Sequence, residues 1–334
     1  MNPNTYGWLS LMGYAFPAFL LATIAFLFVW IVIKKRFILI SFIGLLAAYH
    51  PVTLYFPINS ATADNELPDS LITLLSYNTC GWGDMPTSPD KEISKEEKVE
   101  KLLDFIKSQN ADIVALQEAP KSDNVKPIYD LYEYSDTVKG KDEGVTVSLL
   151  SRYPIKKKEN LNIKSKANAA GVFWLDVKGR EVIVINTHLE TMHFTLNDRA
   201  QFREMVHGNQ MEKDSIRSTS HTIVGKIYSA TKTRAYQADV IAEFIASHSG
   251  TPILVMGDFN DIPQSYVHDK ICSGDLTDCY AASGFGPGYT FSHYGMRARI
   301  DNIICTRDFT PYNCKVLDNI SLSDHLPITC KVSF

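Results

Sequence analysis

Residues 8–33 run for 26 positions without a charged side chain, and no ordinary half-exposed helix or strand can be made from such a stretch. At ~1.5 Å rise per residue a helix of this length spans ~39 Å, enough to cross a hydrocarbon core of ~30 Å with some tilt. A cleaved signal peptide fits poorly: residues 1–7 contain no Lys or Arg, and the apolar run is too long for a signal core. After Lys34, Lys35 and Arg36 a second apolar run occupies residues 37–56, weakened at its far end by His50 and Pro51. These features predict a transmembrane helical hairpin in residues 1–56 (about 8–33 and 37–56), then a linker at 57–70 rich in Asn, Pro, Ser and acidic residues. Because a basic triplet stays cytoplasmic, the simplest topology is two-pass, with the domain at 71–334 extracytoplasmic. The competing topology lays residues 37–56 in the interface and leaves that domain cytoplasmic.

The first 60 residues contain no Asp or Glu and only those three basic residues. Subtracting 3 from 33 leaves 30 basic against 37 acidic residues, a formal charge of −7 for the remainder. Such a domain has no global basic field with which to hold a polyanion non-specifically. The densest basic run, Lys156, Lys157, Lys158, Lys164 and Lys166, reads as a solvated face. Cys80, Cys272, Cys279, Cys305, Cys314 and Cys330 lack paired Cys-x-x-Cys spacing, which argues against structural zinc. Cys272 with Cys279 and Cys314 with Cys330 are the pairs to test as disulfides if the domain meets an oxidising compartment.

Beyond the linker, helix and strand signals alternate. Residues 71–76 form an apolar, β-prone run stopping at Tyr77 and Asn78. Ser94 and Glu97 make a capping box, and Val99, Leu102, Leu103 and Ile106 repeat at helical spacing, which predicts a helix over 95–109. Strands are expected at 112–117, 145–150, 172–177, 181–186 and 252–256, and a second helix at 234–247. The alternation argues a layered α/β fold. Asn78, Glu118, His188, Asp258 and Asn260 all fall just past apolar runs, and in open α/β sheets ligands gather at the carboxyl ends of strands.

Taken in order, Ser76-Tyr77-Asn78, Ala115-Leu116-Gln117-Glu118, Ser151-Arg152-Tyr153-Pro154-Ile155, Asn186-Thr187-His188-Leu189, Gly257-Asp258-Phe259-Asn260, Arg299-Ile300-Asp301 and Ser323-Asp324-His325 resemble the endonuclease/exonuclease/phosphatase superfamily. That group includes deoxyribonuclease I, abasic-site endonucleases, sphingomyelinases and inositol-polyphosphate phosphatases. Each segment is weak alone; their order and spacing over residues 71–334 carry the resemblance. It implies a four-layer α/β sandwich, two packed mixed sheets flanked by helices, and hydrolysis of a phosphoester by metal-assisted attack of water. It also implies a metal site at Glu118, with Asn78 and Asp324 completing it directly or through water. Mg²⁺, with Mn²⁺ as a substitute, suits such hard oxygen ligands. His325 and Asp301 resemble the family's imidazole–carboxylate pair, Asp258 and Asn260 the residues that orient water and the phosphoryl group, and His188 a general acid. Whether Asp258 or His325 takes the proton from water stays open.

Two departures bear on substrate. Asp261-Ile262-Pro263 follows Asn260 where inositol-polyphosphate 5-phosphatases continue with arginine, which disfavours that branch. The carboxylate partnering the acid histidine in deoxyribonuclease I has no secure counterpart, Glu143 being the nearest in sequence. Between His188 and the helix expected at 234 lies a connection of ~45 residues carrying several cations, long enough to read as functional. It is expected to influence substrate choice as a helical lid, and Arg234 is a candidate substrate-binding residue. The substrate is either a lipid-headgroup ester, as in the sphingomyelinase-like branch, or a nucleic acid; no obligate protein partner is implied. A non-catalytic binding module of the same fold is the competing reading.

Overall fold

The structure is a computed structural model of the chain, describing all residues except 84–92, 142–143, 166–167, 207–212 and 294–295. Glu143 and Lys166 therefore lie outside the described residues.

Two six-stranded mixed sheets pack face to face. The first contains, in spatial order, Thr310–Val316, Ile328–Ser333, Leu71–Asn78, Ile113–Gln117, Thr146–Ser151 and Tyr134–Lys139. The second contains Ile155–Asn160, Ala169–Val177, Arg180–His188, Ile253–Asp258, Asp301–Thr306 and Leu276–Asp278. Successive side chains of a strand point to opposite faces, so Leu74 enters the core between the sheets while Leu75 packs outward. The inter-sheet core draws Leu74, Ile113 and Val147 from one sheet and Phe173, Val184 and Leu254 from the other. Outside the first sheet, Leu75, Val114 and Leu116 meet Leu102 and Ile106 of the Lys95–Gln109 helix. Outside the second, Val172, Ile185 and Val255 meet Ala238 and Ile241 of the Lys213–Ser247 helix. Helix, sheet, sheet and helix make the four-layer sandwich that the resemblance implies.

The local signals explain the elements. Ser94 Oγ accepts the Glu97 amide at 3.1 Å, and Asn110 ends that helix in a left-handed conformation (φ 50°), as a short polar side chain tolerates. The helix expected from 234 begins instead at Lys213 and runs for 35 residues. Its first five turns are rich in Ser and Thr and carry only a thin apolar line, Ile216, Ile223, Ile227 and Ala230. The long connection is thus largely helical, Leu196–Val206 followed by Lys213–Ser247. Lys156, Lys157 and Lys158 lie on the edge strand Ile155–Asn160 and pair with Asp176, Glu159 and Asp136, a solvated edge that discourages further strand pairing.

At the N-terminus one helical run, Pro3–Ile33, is long and apolar enough to cross a membrane. The second apolar run is not one straight helix: Lys35–Ala47 and Tyr49–Tyr55 meet at 61°. Pro51 lacks an N–H and cannot extend the preceding helical ladder, which accounts for a break there. The feet of these N-terminal helices rest on the sandwich. Trp8 stacks on Tyr228 with centroids 4.2 Å apart, Gln264 donates to the Pro51 carbonyl, and Arg299 donates to the Leu54 carbonyl at 2.9 Å.

The cysteines form no disulfides. Cys272 is not paired with Cys279; instead Cys279 lies 3.6 Å from Cys305, sulfur to sulfur, in the inter-sheet core with Cys314 and Cys330. Burial and neighbouring thiols push the Cys279 and Cys314 thiols well above their ordinary range.

Candidate active site

Parallel pairing in each sheet places the site. Leu71–Asn78 runs parallel to Ile113–Gln117 with Asn78 opposite Gln117, so Asn78 and Glu118 leave the first sheet at the same end. Arg180–His188 runs parallel to Ile253–Asp258 with His188 opposite Asp258, and antiparallel Asp301–Thr306 sets Asp301 opposite Asp258 from the other side. The two sheets present these ends to one another. Beneath the site, Gln117 Nε2 donates to Asn186 Oδ1 at 2.7 Å, and Asn186 Nδ2 donates to the carbonyls of Leu116 and Ser148, which fixes the sheets' separation.

The backbone is strained where the side chains matter. Glu118 (φ 50°) and Asn260 (φ 51°) are left-handed, a conformation that persists only when the surroundings enforce it. Gly257 (φ 135°) is dictated by close approach, since a Cβ there would meet the Thr187 carbonyl oxygen at 2.0 Å. Only glycine lets the two parallel strands close up and deliver Asp258 beside His188.

Asp258 is the hub. Its Oδ2 accepts from Asn78 Nδ2 at 3.0 Å and Asn260 Nδ2 at 3.2 Å, its Oδ1 accepts from the Asn260 amide at 2.7 Å, and His188 Nε2 and His325 Nε2 lie 3.4 and 3.6 Å from Oδ2. Asn260 Nδ2 also lies 3.1 Å from His188 Nε2. His325 Nδ1 is 2.9 Å from Asp301 Oδ2, and the Phe291 ring lies edge-on to the imidazole at 5.3 Å. Ser323 Oγ donates to the Asn78 carbonyl at 2.8 Å and accepts the His325 amide at 3.1 Å, tying the Ser323-Asp324-His325 loop to the first sheet. Glu118 is 32% exposed and accepts from Asn78 Nδ2 at 3.1 Å.

Burial raises the cost of charge on Asp258, but His325 and His188 outweigh it and hold the carboxyl below its ordinary range. Burial likewise pulls the His325 imidazole down, but Asp301 and Asp258 outweigh it and raise it to about 10. The same balance, set by Asp258 and Glu118, raises His188. Asp258 is thus held as the carboxylate, facing a charged His325 imidazole on one side and His188, whose hold on its proton is strengthened, on the other. His188 Nδ1 and Asp301 Oδ1 are buried without a hydrogen-bond partner among the described residues, and Glu143, the nearest carboxylate in sequence, lies outside them.

Glu118, His188, Asp258, Asn260, Asp324 and His325 open together on a pocket of about 320 Å³. Asp258, Asp301 and His325 offer ligand atoms within 4.8 Å of one another, a grouping different from the metal set expected from sequence. Those three are buried and committed to one another, whereas Glu118 and Asp324 present carboxylates to the pocket. Asn78 turns its amide nitrogen toward Glu118 and its oxygen toward the Cys80 amide at 3.0 Å, so it positions the Glu118 carboxylate.

Arg234 departs from expectation. It is fully buried, with Nε donating to Asp261 Oδ2 at 2.9 Å, Nη1 to the Glu190 carbonyl at 2.9 Å, and Nη2 to Tyr14 at 3.1 Å and Thr231 at 3.0 Å. With every branch of its fork occupied, the guanidinium joins Tyr14 of the N-terminal segment to the loop after Asn260 and is turned away from the pocket. Arg199, one of the cations of the long connection, lies on the pocket wall; sequence reading missed Thr290, whose hydroxyl accepts the Asp301 amide at 3.0 Å, and Phe291. Neither of these two carries a local signal, because each acts on residues brought near by folding.

Comparison with known proteins agrees with this geometry. The model of the Endonuclease/Exonuclease/phosphatase family matches residues 80–325, and one described as a domain of unknown function matches residues 1–55. No curated protein matches the chain. Similar solved structures include the human Nocturnin catalytic domain with bound sulfate anion (18% identity, TM-score 0.58, covering 79% of this chain and 94% of that one). Truncated Caenorhabditis elegans TDP2 (16%, TM-score 0.54, 79% and 98%) and a Bacteroides thetaiotaomicron mannosyl-6-phosphatase (16%, TM-score 0.53, 79% and 100%) share the fold as well.

Proposed function

The chain belongs to the Endonuclease/Exonuclease/phosphatase family, and from that membership we propose that it hydrolyses a phosphoester by attack of water at phosphorus, with Mg²⁺ held at Glu118. The observation that carries the reading is the convergence of Glu118, His188, Asp258, Asn260, Asp324 and His325 on one pocket from the ends of strands in both sheets. A binding module of the same fold would have no need to hold Asp258 ionised between two histidines.

The donor set fits a hard divalent ion: Glu118 and Asp324 supply carboxylate oxygens to an open pocket, and Mg²⁺ is commonly held by one or two carboxylates beside substrate phosphate. Mn²⁺ accepts the same ligands. When bound, the ion would polarise a phosphoryl oxygen and offset charge developing in the transition state. The protein's own groups do the rest. Asp258, ionised and fixed by Asn78 and Asn260, orients the attacking water and accepts its proton. His325, held upright by Asp301 and charged at neutral pH, donates to a phosphoryl oxygen. His188, whose proton affinity Asp258 and Glu118 raise, faces the pocket as the acid for the leaving oxygen. This assigns the proton from water to Asp258 and leaves His325 as a donor.

Residues 71–334 act as the catalytic unit, and the hairpin holds it at a membrane on the face opposite Lys34, Lys35 and Arg36. The test is turnover of an aryl phosphodiester by the detergent-solubilised full chain. The reading expects activity lost in EDTA, restored by Mg²⁺, and reduced by about 100-fold or more in Glu118→Ala. Activity indifferent to EDTA that survives Glu118→Ala and His325→Ala together would place the chemistry elsewhere.

A further inference from the structure

Beside the catalytic pocket lies a second cavity of about 420 Å³ whose walls come from three distant parts of the chain. Tyr14, Pro17 and Tyr55 contribute from the hairpin base, and Phe202, Ile223 and Ile227 from the two helices inserted after His188. Met192, Phe194, Met296, Ala298 and Ile300 border both cavities, so the groove adjoins the catalytic pocket along a shared, mostly apolar wall. Its buried charges are already committed. Asp261 is engaged by Arg234 and Tyr14, and Arg299 by Asp278 at 2.8 Å, Asn302 at 3.2 Å and the Leu54 carbonyl, only its Nε lacking a partner among the described residues. What remains along the walls is chiefly hydrocarbon and aromatic ring.

The hairpin fixes where this groove opens. Leu21, Val32 and Leu39 are more than 60% exposed on its outer surface, apolar surface that water does not tolerate at this extent and a bilayer does. Pro17 and Tyr55, at the feet of the apolar helices, line the groove, so its occupant would lie beside any bilayer those helices enter.

We propose that the groove seats an acyl or alkyl chain, so that the substrate is a membrane amphiphile whose phosphoester enters the catalytic pocket while its chain lies between the hairpin base and the inserted helices. The assignment of the headgroup rests on the phosphoester-hydrolase reading; the assignment of the chain rests on the groove. A nucleic acid is the occupant it displaces: Arg297, an exposed cation bordering the groove, could meet a neighbouring phosphate, but the surrounding walls offer no stack of committed phosphate donors.

The experiment uses the solubilised full chain and a series of p-nitrophenyl alkyl phosphodiesters, kept monomeric, with alkyl chains from two to ten carbons. All members share one leaving group. The expected result is a kcat/KM that climbs by about fourfold per added methylene until the groove is filled, and a series that flattens in Ile227→Trp, which fills the groove. A flat series in the wild-type chain with turnover intact, or preferred turnover of an oligonucleotide, overturns the chain assignment while leaving the hydrolase reading standing. If no member is turned over, the hydrolase reading fails, and the groove is judged by photolabelling in vesicles containing a phosphatidylcholine with a diazirine at its acyl terminus. Label on peptides bearing Phe202, Ile223 and Ile227 supports the seat, and label confined to the outer faces of residues 20–47 overturns it.

Discussion

Replacing Arg234 by Met removes the cation from a fully buried ion pair while retaining most of the side-chain volume. Arg234 and Asp261 are both 0% exposed, and the guanidinium makes four donor contacts reaching the hairpin at Tyr14 and the catalytic loop at Asp261. Breaking a buried pair from one side costs about 3–5 kcal/mol, because the remaining charge has no water to turn to. With an unfolding entropy of roughly 2 cal/mol/K per residue over ~260 residues, that corresponds to a fall in Tm of about 5–9 °C. Arg234→Lys should recover little, since an ammonium cannot reproduce the planar fork. Differential scanning calorimetry of the solubilised protein, with Asp261→Asn and the double variant closing a thermodynamic cycle, reads the effect directly. In the cycle, Asp261→Asn should cost much less in the Arg234→Met background than in the wild type. A Tm within about 1 °C of wild type together with a raised KM would refute the reasoning and return Arg234 to the substrate.

Asp301→Asn should leave the fold intact but remove the anion that charges and aligns His325, lowering kcat by about 10²–10⁴-fold; unchanged kcat would separate the pair from catalysis. Burial pushes the Asp278 carboxyl up, but Arg299 at 2.8 Å and His268 at 2.9 Å outweigh it and hold it well below the usual carboxylate range. A depressed folded value contributes stability that is full above the unfolded pKa near ~3.9 and is lost as pH falls through and below it. The urea midpoint should therefore drop steeply below about pH 4 and do so less steeply in Asp278→Asn; parallel profiles would contradict it. Cys279, Cys305, Cys314 and Cys330 should resist maleimide in the native state and react on unfolding, because burial in the inter-sheet core keeps the reagent from the sulfurs. Rapid native labelling of any of the four, read by peptide mass, would show that the inter-sheet core opens.

How much of this was legible in the sequence follows from how local each signal is. The Lys95–Gln109 helix was readable to the residue because Ser94 and Glu97 declare its start and the apolar spacing its face. Asn78, Glu118, His188 and Asp258 were readable as strand-end residues because each follows an apolar run buried on both faces. The start of the Lys213–Ser247 helix was not, since its N-terminal half packs few side chains and carries only a thin apolar line. Arg234 was misjudged because its partners Tyr14 and Asp261 lie 220 and 27 positions away. A cation among other cations in a long connection looks free until the fold brings a carboxylate to it. The groove was invisible for the same reason, its walls being assembled from residues near the N-terminus, the insertion and the Met296–Ala298 strand.

The most direct test of the central claim is to run the reaction on an aryl phosphodiester with added Mg²⁺ in ¹⁸O-water and weigh the phosphate-bearing product. Water attack at phosphorus predicts one heavy oxygen in that product per turnover, in a reaction that stops in EDTA and falls sharply in His325→Ala. Product carrying no ¹⁸O, or labelling at the same rate in His325→Ala, would mean that the bond breaks by another route or at another site.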